Sequence, residues 1–245
     1  MAAFAGPNLA RWTVDLFEPV TYAGSYAANI VLYGLSVVIL ARVTIPPSPA
    51  SSHPSGGVGF GTIITQGRFL VAAASAMIGY GVMNLVMTAT PLAMAKHGFG
   101  FGETTIVIQW HVLAMFAPSF VTGHIIKRFG IMNVIMTGAL LQLACVFVNL
   151  YGQAEWNFIV ALVLLGLGWN FLFVGATTVL TNHYSGPEKA RAQGLNDFLV
   201  FGMVAVTALS SGALHHAYGW ALLNMAMIPF IIAALACGLW LRTST

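Results

Sequence analysis

Three short stretches place polar and aromatic side chains inside apolar sequence, and those side chains have the chemistry to hold an organic molecule. The first is Gln109, Trp110 and His111, at the head of "QWHVLAMFAPSFVTGHIIKRFG". The second is Trp169 and Asn170 in "GLGWNFLFVGATT", and the third is Asn84 in "GYGVMNLVMTATP". An indole stacks on planar rings, and amides and imidazoles supply directed hydrogen bonds. Glycines 166, 168 and 175 around the Trp–Asn pair, and glycines 79 and 81 before Asn84, let a ligand or a neighbouring backbone come close. Each group also has a plainer reading. Trp110 suits an aromatic at a membrane interface. Gln109, His111, Asn170 and Asn84 suit struts that hydrogen-bond one helix to the next. Asp197 is a carboxylate inside an apolar run, which burial disfavours in its charged form. It fits either a latch to Lys127, Arg128 or Arg191 or a proton-coupling group.

The runs that carry these residues decide the fold class. Of 245 residues, 58% are hydrophobic and 6% charged, against about a quarter charged in a soluble domain. That composition excludes a soluble globular fold and predicts an all-α, polytopic helical membrane protein, because a helix satisfies its own backbone in lipid. Strand-period alternation is absent, which argues against an outer-membrane barrel. Seven runs meet the requirement of about 20 apolar residues for one crossing. They cover roughly 20–43, 68–95, 105–126, 131–151, 156–182, 190–214 and 219–241. Pro118 removes a backbone hydrogen bond and is expected to bend its helix.

The polar segments between the runs set organisation and orientation. "IPPSPASSHPSGGVGFG", residues 45 to 61, is rich in Pro, Ser and Gly and reads as a flexible connector. Three regions follow: 1–44 with one span and a partial helix, a linker over 45–67, and a six-helix bundle over 68–245. With the connector in the cytoplasm, inner ends carry Arg42, Arg68, Lys127, Arg128, Lys189, Arg191 and Arg242, and outer ends carry Arg11 and Lys96. That bias predicts a cytoplasmic C-terminus. His215 and His216 then fall in an outer loop. "MAAFAGPNLARW" is apolar but rises only about 15 Å as helix, which reads as the outer half of a span whose beginning is missing.

Several chemistries find no support. Cys145 and Cys237 lie singly in apolar runs and form no CxxC pair. HExxH, paired intramembrane histidines and a Ser–His–acid set are absent, so no catalytic, metal or cofactor site is expected. The basic residues are dispersed, which argues against nucleic acid. No cleavable signal peptide is visible.

"GHIIKRFG" at 123–130 is similar to the Gly-x-x-x-x-Arg-x-Gly inter-helix motif of the major facilitator superfamily, in its C-half copy. "PEKARAQGLND" at 187–197 resembles the loop and helix start found in bacterial drug- and vitamin-carrier branches, and "AFAGPNLARW" resembles the Gly-Pro end of the fifth helix. The resemblance covers nearly the whole chain and matches it to helices six to twelve. His124 departs from the stronger N-half motif, and no acidic anchor stands beside it. The resemblance implies a secondary carrier of a small organic solute, proton-linked and in a bacterial inner membrane, with a riboflavin-type cargo. It also implies an N-terminal bundle, or a second chain, to complete the path. Because amides and imidazole avoid hydrocarbon, most of the side chains of Asn84, Gln109, His111, Trp169 and Asn170 are expected to converge on one concave, non-lipid face. The alternative is a non-transporting receptor or assembly protein built on a transporter fold.

Overall fold

The computed structural model describes residues 2–44 and 59–243, with the side chains of 2–4 excepted. Most of the 45–61 connector therefore lies outside the described residues. The chain divides into two compact units, Met1–Gly57 and Val58–Thr245.

The first unit holds α1 (Ala2–Thr13) and α2 (Ala23–Leu40). Gly24 lets them touch, since a Cβ there would run into the Thr13 carbonyl. Ser25 Oγ donates to the Ala10 carbonyl at 3.2 Å, and Thr13 Oγ1 to Ser25 Oγ at 3.1 Å. Beyond that junction α2 is apolar on all sides, with Ile30, Val31, Val37 and Leu40 exposed. Such a helix suits a lipid environment.

The second unit holds α3 (Phe60–Ile64), α4 (Gly67–Lys96), α5 (Phe101–Phe116), α6 (Ser119–Phe129), α7 (Ile131–Tyr151), α8 (Glu155–His183), α9 (Gly186–Met225) and α10 (Ile228–Thr243). No strand occurs among the described residues. The chain is an all-α, multi-pass membrane protein. α4 and α8, of 30 and 29 residues, exceed the roughly 20 that cross a bilayer. They form the buried centre, with Ala72, Ala76, Val86, Leu162, Leu165 and Leu172 fully or almost fully shielded. α5 and α7 pack on α8, α9 packs on α4, and α10 packs on α4 and α7.

Two expected spans are interrupted. The 105–126 run is split into α5 and α6, which meet at a 45° bend. Pro118 is the cause: it has no N–H to give, and Phe120, Val121 and Thr122 turn their amides to the Ala117 and Pro118 carbonyls. The boundary at 214–219 is a sharp reversal inside α9. Gly219 takes φ 75°, ψ 176° there, a backbone conformation that L side chains resist. The 219–241 run has a second break at Ala226 and Met227, after which α10 continues as a separate helix.

Glycines set the closest approach in the core. A Cβ on Gly138 would stand 2.8 Å from the Gly168 carbonyl, and one on Gly168 would stand 2.7 Å from the Gly138 carbonyl. The backbones of α7 and α8 meet there. Packing of this kind replaces the hydrophobic drive that lipid removes.

Candidate functional site

Of the five intramembrane candidates, Asn84, His111 and Asn170 bond across helix seams, and Trp169 belongs to an aromatic cluster. Asn84, on α4, faces α9: its amide donates to the Val204 carbonyl at 3.2 Å and to Thr207 Oγ1 at 3.0 Å. His111, on α5, is fully buried against α8, with Nδ1 at 2.8 Å from the Leu162 carbonyl. A carbonyl only accepts, so Nδ1 carries the hydrogen, and Nε2 is left as a buried lone pair without a partner among the described residues. Gln109, two residues earlier, is half-buried, and Trp110 is exposed, as an interfacial aromatic would be.

Asn170 sits on α8 at the break between α5 and α6. Its Nδ2 donates to the Met115 carbonyl at 2.8 Å and to Ser119 Oγ at 2.7 Å, and its Oδ1 accepts from Thr122 Oγ1 at 2.7 Å. Pro118 leaves the Ala114 carbonyl, four residues back, without its helical donor, and Met115 is the next residue along this loosened end of α5. One amide thus ties together the loose ends of a broken helix. Both amide hydrogens are already used, so a ligand could take them only by opening the bend.

Trp169 belongs to a different surface. Its indole stacks on Phe173 at 5.3 Å between centroids and 8° between planes. Tyr80 of α4 meets it edge-on at 5.2 Å, and Phe116 of α5 at 5.8 Å. Tyr80 also contacts Phe173 at 5.5 Å and Phe201 of α9 at 6.0 Å. Four helices thus converge on one aromatic cluster. Trp169 is buried, Tyr80 and Phe173 are half-buried, and Phe116 and Phe201 are more than half exposed. The indole Nε1 is buried with no acceptor among the described residues.

Sequence reading passes over Tyr80, Phe116, Phe173 and Phe201, because one aromatic in an apolar run looks like any other core residue. Two signals do exist. Trp169 and Phe173 are four apart and share a helix face, and Tyr80 stands between two glycines. Gln142 is a further buried polar group, donating from Nε2 to the Gly79 carbonyl at 2.7 Å. It holds α7 to α4 immediately beside Tyr80.

Asp197 is half-buried on α9. Its Oδ1 accepts from Gln193 Nε2 at 3.2 Å and Asn196 Nδ2 at 3.4 Å, both on its own helix. The expected latch is to Lys127, Arg128 or Arg191; the hydrogen-bond partners of the carboxylate among the described residues are these neutral amides. α6, which carries the basic pair, packs on α5, α7 and α8, while α9 packs chiefly on α4. The Arg128 guanidinium lies over the Phe129 ring at 5.3 Å, and Arg191 is exposed. Among the described residues, no group of three or more His, Cys, Asp or Glu is placed to hold a metal ion.

No protein-family profile matches the chain. Individual proteins do. It is 38% identical over 238 residues to the riboflavin transporter RfnT of Brucella anthropi, an alignment covering 96% of this chain and 60% of that protein. It is 31% identical over 229 residues to the MFS-type transporter YdeG of Bacillus subtilis, covering 86% of this chain and 52% of the relative. The MFS-type transporter YddS of the same organism is 27% identical over 260 residues, covering 95% and 59%. The chain therefore spans a little over half the length of these relatives. The "GHIIKRFG" and "PEKARAQGLND" stretches stand at the helix ends that the resemblance implies, and the aligned relatives carry transporter names throughout. On this evidence, the chain belongs to the major facilitator superfamily of membrane transporters.

Proposed function

We propose that this chain supplies one wall of a pathway for a planar, riboflavin-like organic solute. The observation that carries the reading is the aromatic cluster around Trp169. It draws on four helices, contains no formal charge, and presents Phe116 and Phe201 at an open surface. A flat ring system gains from stacking and edge contacts with such a surface. A sugar, which needs many polar contacts, gains little. The 38% identity to a protein named as a riboflavin transporter supports the same solute class. Asn84, His111 and Asn170 then act as struts that fix the helices carrying the cluster. Gln109 and Trp110 lie further along α5.

A facing set of helices completes the pathway in this reading, supplied by the N-terminal bundle or by a second chain, and alternating access rocks one wall against the other. Coupling to protons is assigned to Asp197, because a carboxylate held by neutral amides can take up a proton without breaking an ion pair. The membrane is the bacterial inner membrane, and the C-terminus is cytoplasmic. Charge supports that orientation. Within the second unit Arg68, Lys127, Arg128, Lys189, Arg191 and Arg242 all fall at one end of the bundle, and Lys96 at the other.

The test is uptake of labelled riboflavin by cells that cannot make it, expressing this chain joined to the facing N-terminal bundle that completes the pathway, or the same protein with Trp169→Ala. Saturable uptake that unlabelled riboflavin competes away, and that the variant loses, supports the reading. Normal membrane insertion with no uptake by either protein would favour a non-transporting receptor.

A further inference from the structure

A second site lies at the basic end of the bundle, away from the aromatic cluster. A cavity of about 350 Å³ opens between the start of α4, the start of α7, the end of α8 and the end of α10. Arg68 and Arg242 line it with His183, Asn133 and Gly130, and no Asp or Glu is among its lining residues. It is concave, it carries two arginines, and Ile131, Met132, Val179 and Leu241 make much of its wall apolar.

Local bonds hold the two guanidinium groups in place. Arg68 Nη1 stands 3.1 Å from His183 Nδ1. Arginine can only donate, so Nδ1 must be the bare acceptor and Nε2 must carry the hydrogen. Nε2 accordingly donates to Gln66 Oε1 at 3.1 Å, and the Tyr184 hydroxyl donates to the same oxygen at 2.7 Å. On the other wall, Arg242 Nη1 donates to Asn133 Oδ1 at 3.2 Å, and Asn133 Nδ2 donates to the Phe129 carbonyl at 2.8 Å. The start of α7 adds a third feature. Its N-cap is Gly130, no side chain caps the first turn, and that turn contains no acidic residue. The 21-residue helix therefore aims its positive end and its first amides into the same space as the arginines.

The surroundings of the cavity favour a lipid over a free ion. α7 and α10 border it and pack on each other. Both carry exposed apolar side chains along their length: Leu140 and Phe147 on α7, Ile232 and Leu239 on α10. Trp240, more than half exposed, stands at the level of the cavity and shields Gly67. An aromatic at that level and an apolar face leading away from it are the features of a headgroup site with room for acyl chains beside it.

We infer that this cavity binds the phosphate of an anionic phospholipid, with Arg68, Arg242 and the start of α7 on the headgroup and the acyl chains along α7 and α10. The inference is independent of the cargo reading, because no aromatic-cluster residue takes part.

Native mass spectrometry of the detergent-solubilised protein tests it, with phosphatidylglycerol and phosphatidylcholine offered at equal concentration. The wild-type chain is expected to retain phosphatidylglycerol selectively, and excess inorganic phosphate should displace it poorly. Arg68→Gln with Arg242→Gln should weaken retention roughly 30-fold, since each arginine near an anionic lipid contributes about fivefold. Lys189→Gln, which removes a cation at the same end but outside the cavity, should leave retention unchanged. Equal retention of the two lipids by the wild type would overturn the inference, and so would equal loss in the Lys189 variant. Displacement by millimolar phosphate would make this a soluble-anion site and overturn the lipid assignment. The lipid-preference and phosphate arms use only the wild-type protein, so a double variant that fails to fold leaves the test intact.

Discussion

Trp169 and Asn170 are adjacent in sequence and have different jobs, which their variants should separate. Trp169→Phe keeps a ring against Phe173 and Tyr80, so riboflavin uptake should fall only a few-fold; Trp169→Ala removes the stack and should abolish it. Each lost aromatic contact is worth about 0.5–1.5 kcal/mol beyond its buried area. Asn170→Leu should act on stability instead. It removes the Asn170 donors to the Met115 carbonyl and the Ser119 hydroxyl at the bend, at a cost of about 1–3 kcal/mol, while Thr122 keeps its bond to the Pro118 carbonyl. A thermal denaturation midpoint in detergent clearly below that of the wild type is the expected result. Asn84→Leu should cost less, because Thr207 Oγ1 also bonds to the Met203 and Val204 carbonyls of its own helix. If Asn170→Leu left the midpoint unchanged, the clamp assignment would fail.

The helices are positioned by close backbone contact, and glycine substitutions read this out directly. Gly168→Val puts a branched side chain into the Gly138 carbonyl and Gln142, and should cost about 1–3 kcal/mol through overpacking. Gly202, on the same membrane scale, has nothing within 4 Å of a built Cβ. Gly202→Ala should therefore be neutral, or stabilise by up to about 1 kcal/mol through helix propensity. Fluorescence-detected gel filtration after a heating series would rank the two. The α5–α6 bend offers a second test at this scale. Pro118→Ala restores an N–H and should let the two helices straighten, which carries Phe116 away from Trp169. Spin labels at exposed positions 106 and 121 should then report a longer separation, and uptake should fall while expression holds.

At the scale of the whole molecule, the proposed proton coupling rests on Asp197. Asp197→Asn keeps the shape and the hydrogen bonding but removes the titratable oxygen. In vesicles it should lose uptake driven by an imposed pH gradient yet keep exchange of labelled for unlabelled solute. Loss of both activities would make Asp197 a structural residue. Insertion should be unaffected, because among the described residues the carboxylate is bonded through Gln193 and Asn196 of its own helix.

The membrane class, the helix order and the side carrying the basic ends were legible without coordinates, because each rests on local chemistry. Runs of apolar residues must cross lipid as helices, and Lys and Arg gather at one set of ends. Pro118 announced its bend for the same reason, by lacking an N–H. Gly219 was less readable: glycine is frequent in these helices, and only the chain reversal shows which one needs φ near 75°. The seams were decided by tertiary structure alone. Asn84, His111, Asn170 and Asp197 each look equally able to face a ligand, a neighbour or a charge. The outcome depends on rotations of helices that periodicity cannot fix when every face is apolar. For the same reason the aromatic cluster is invisible in the sequence. Tyr80, Phe116, Trp169, Phe173 and Phe201 come from four helices, and a local pattern does not record which ring will meet which.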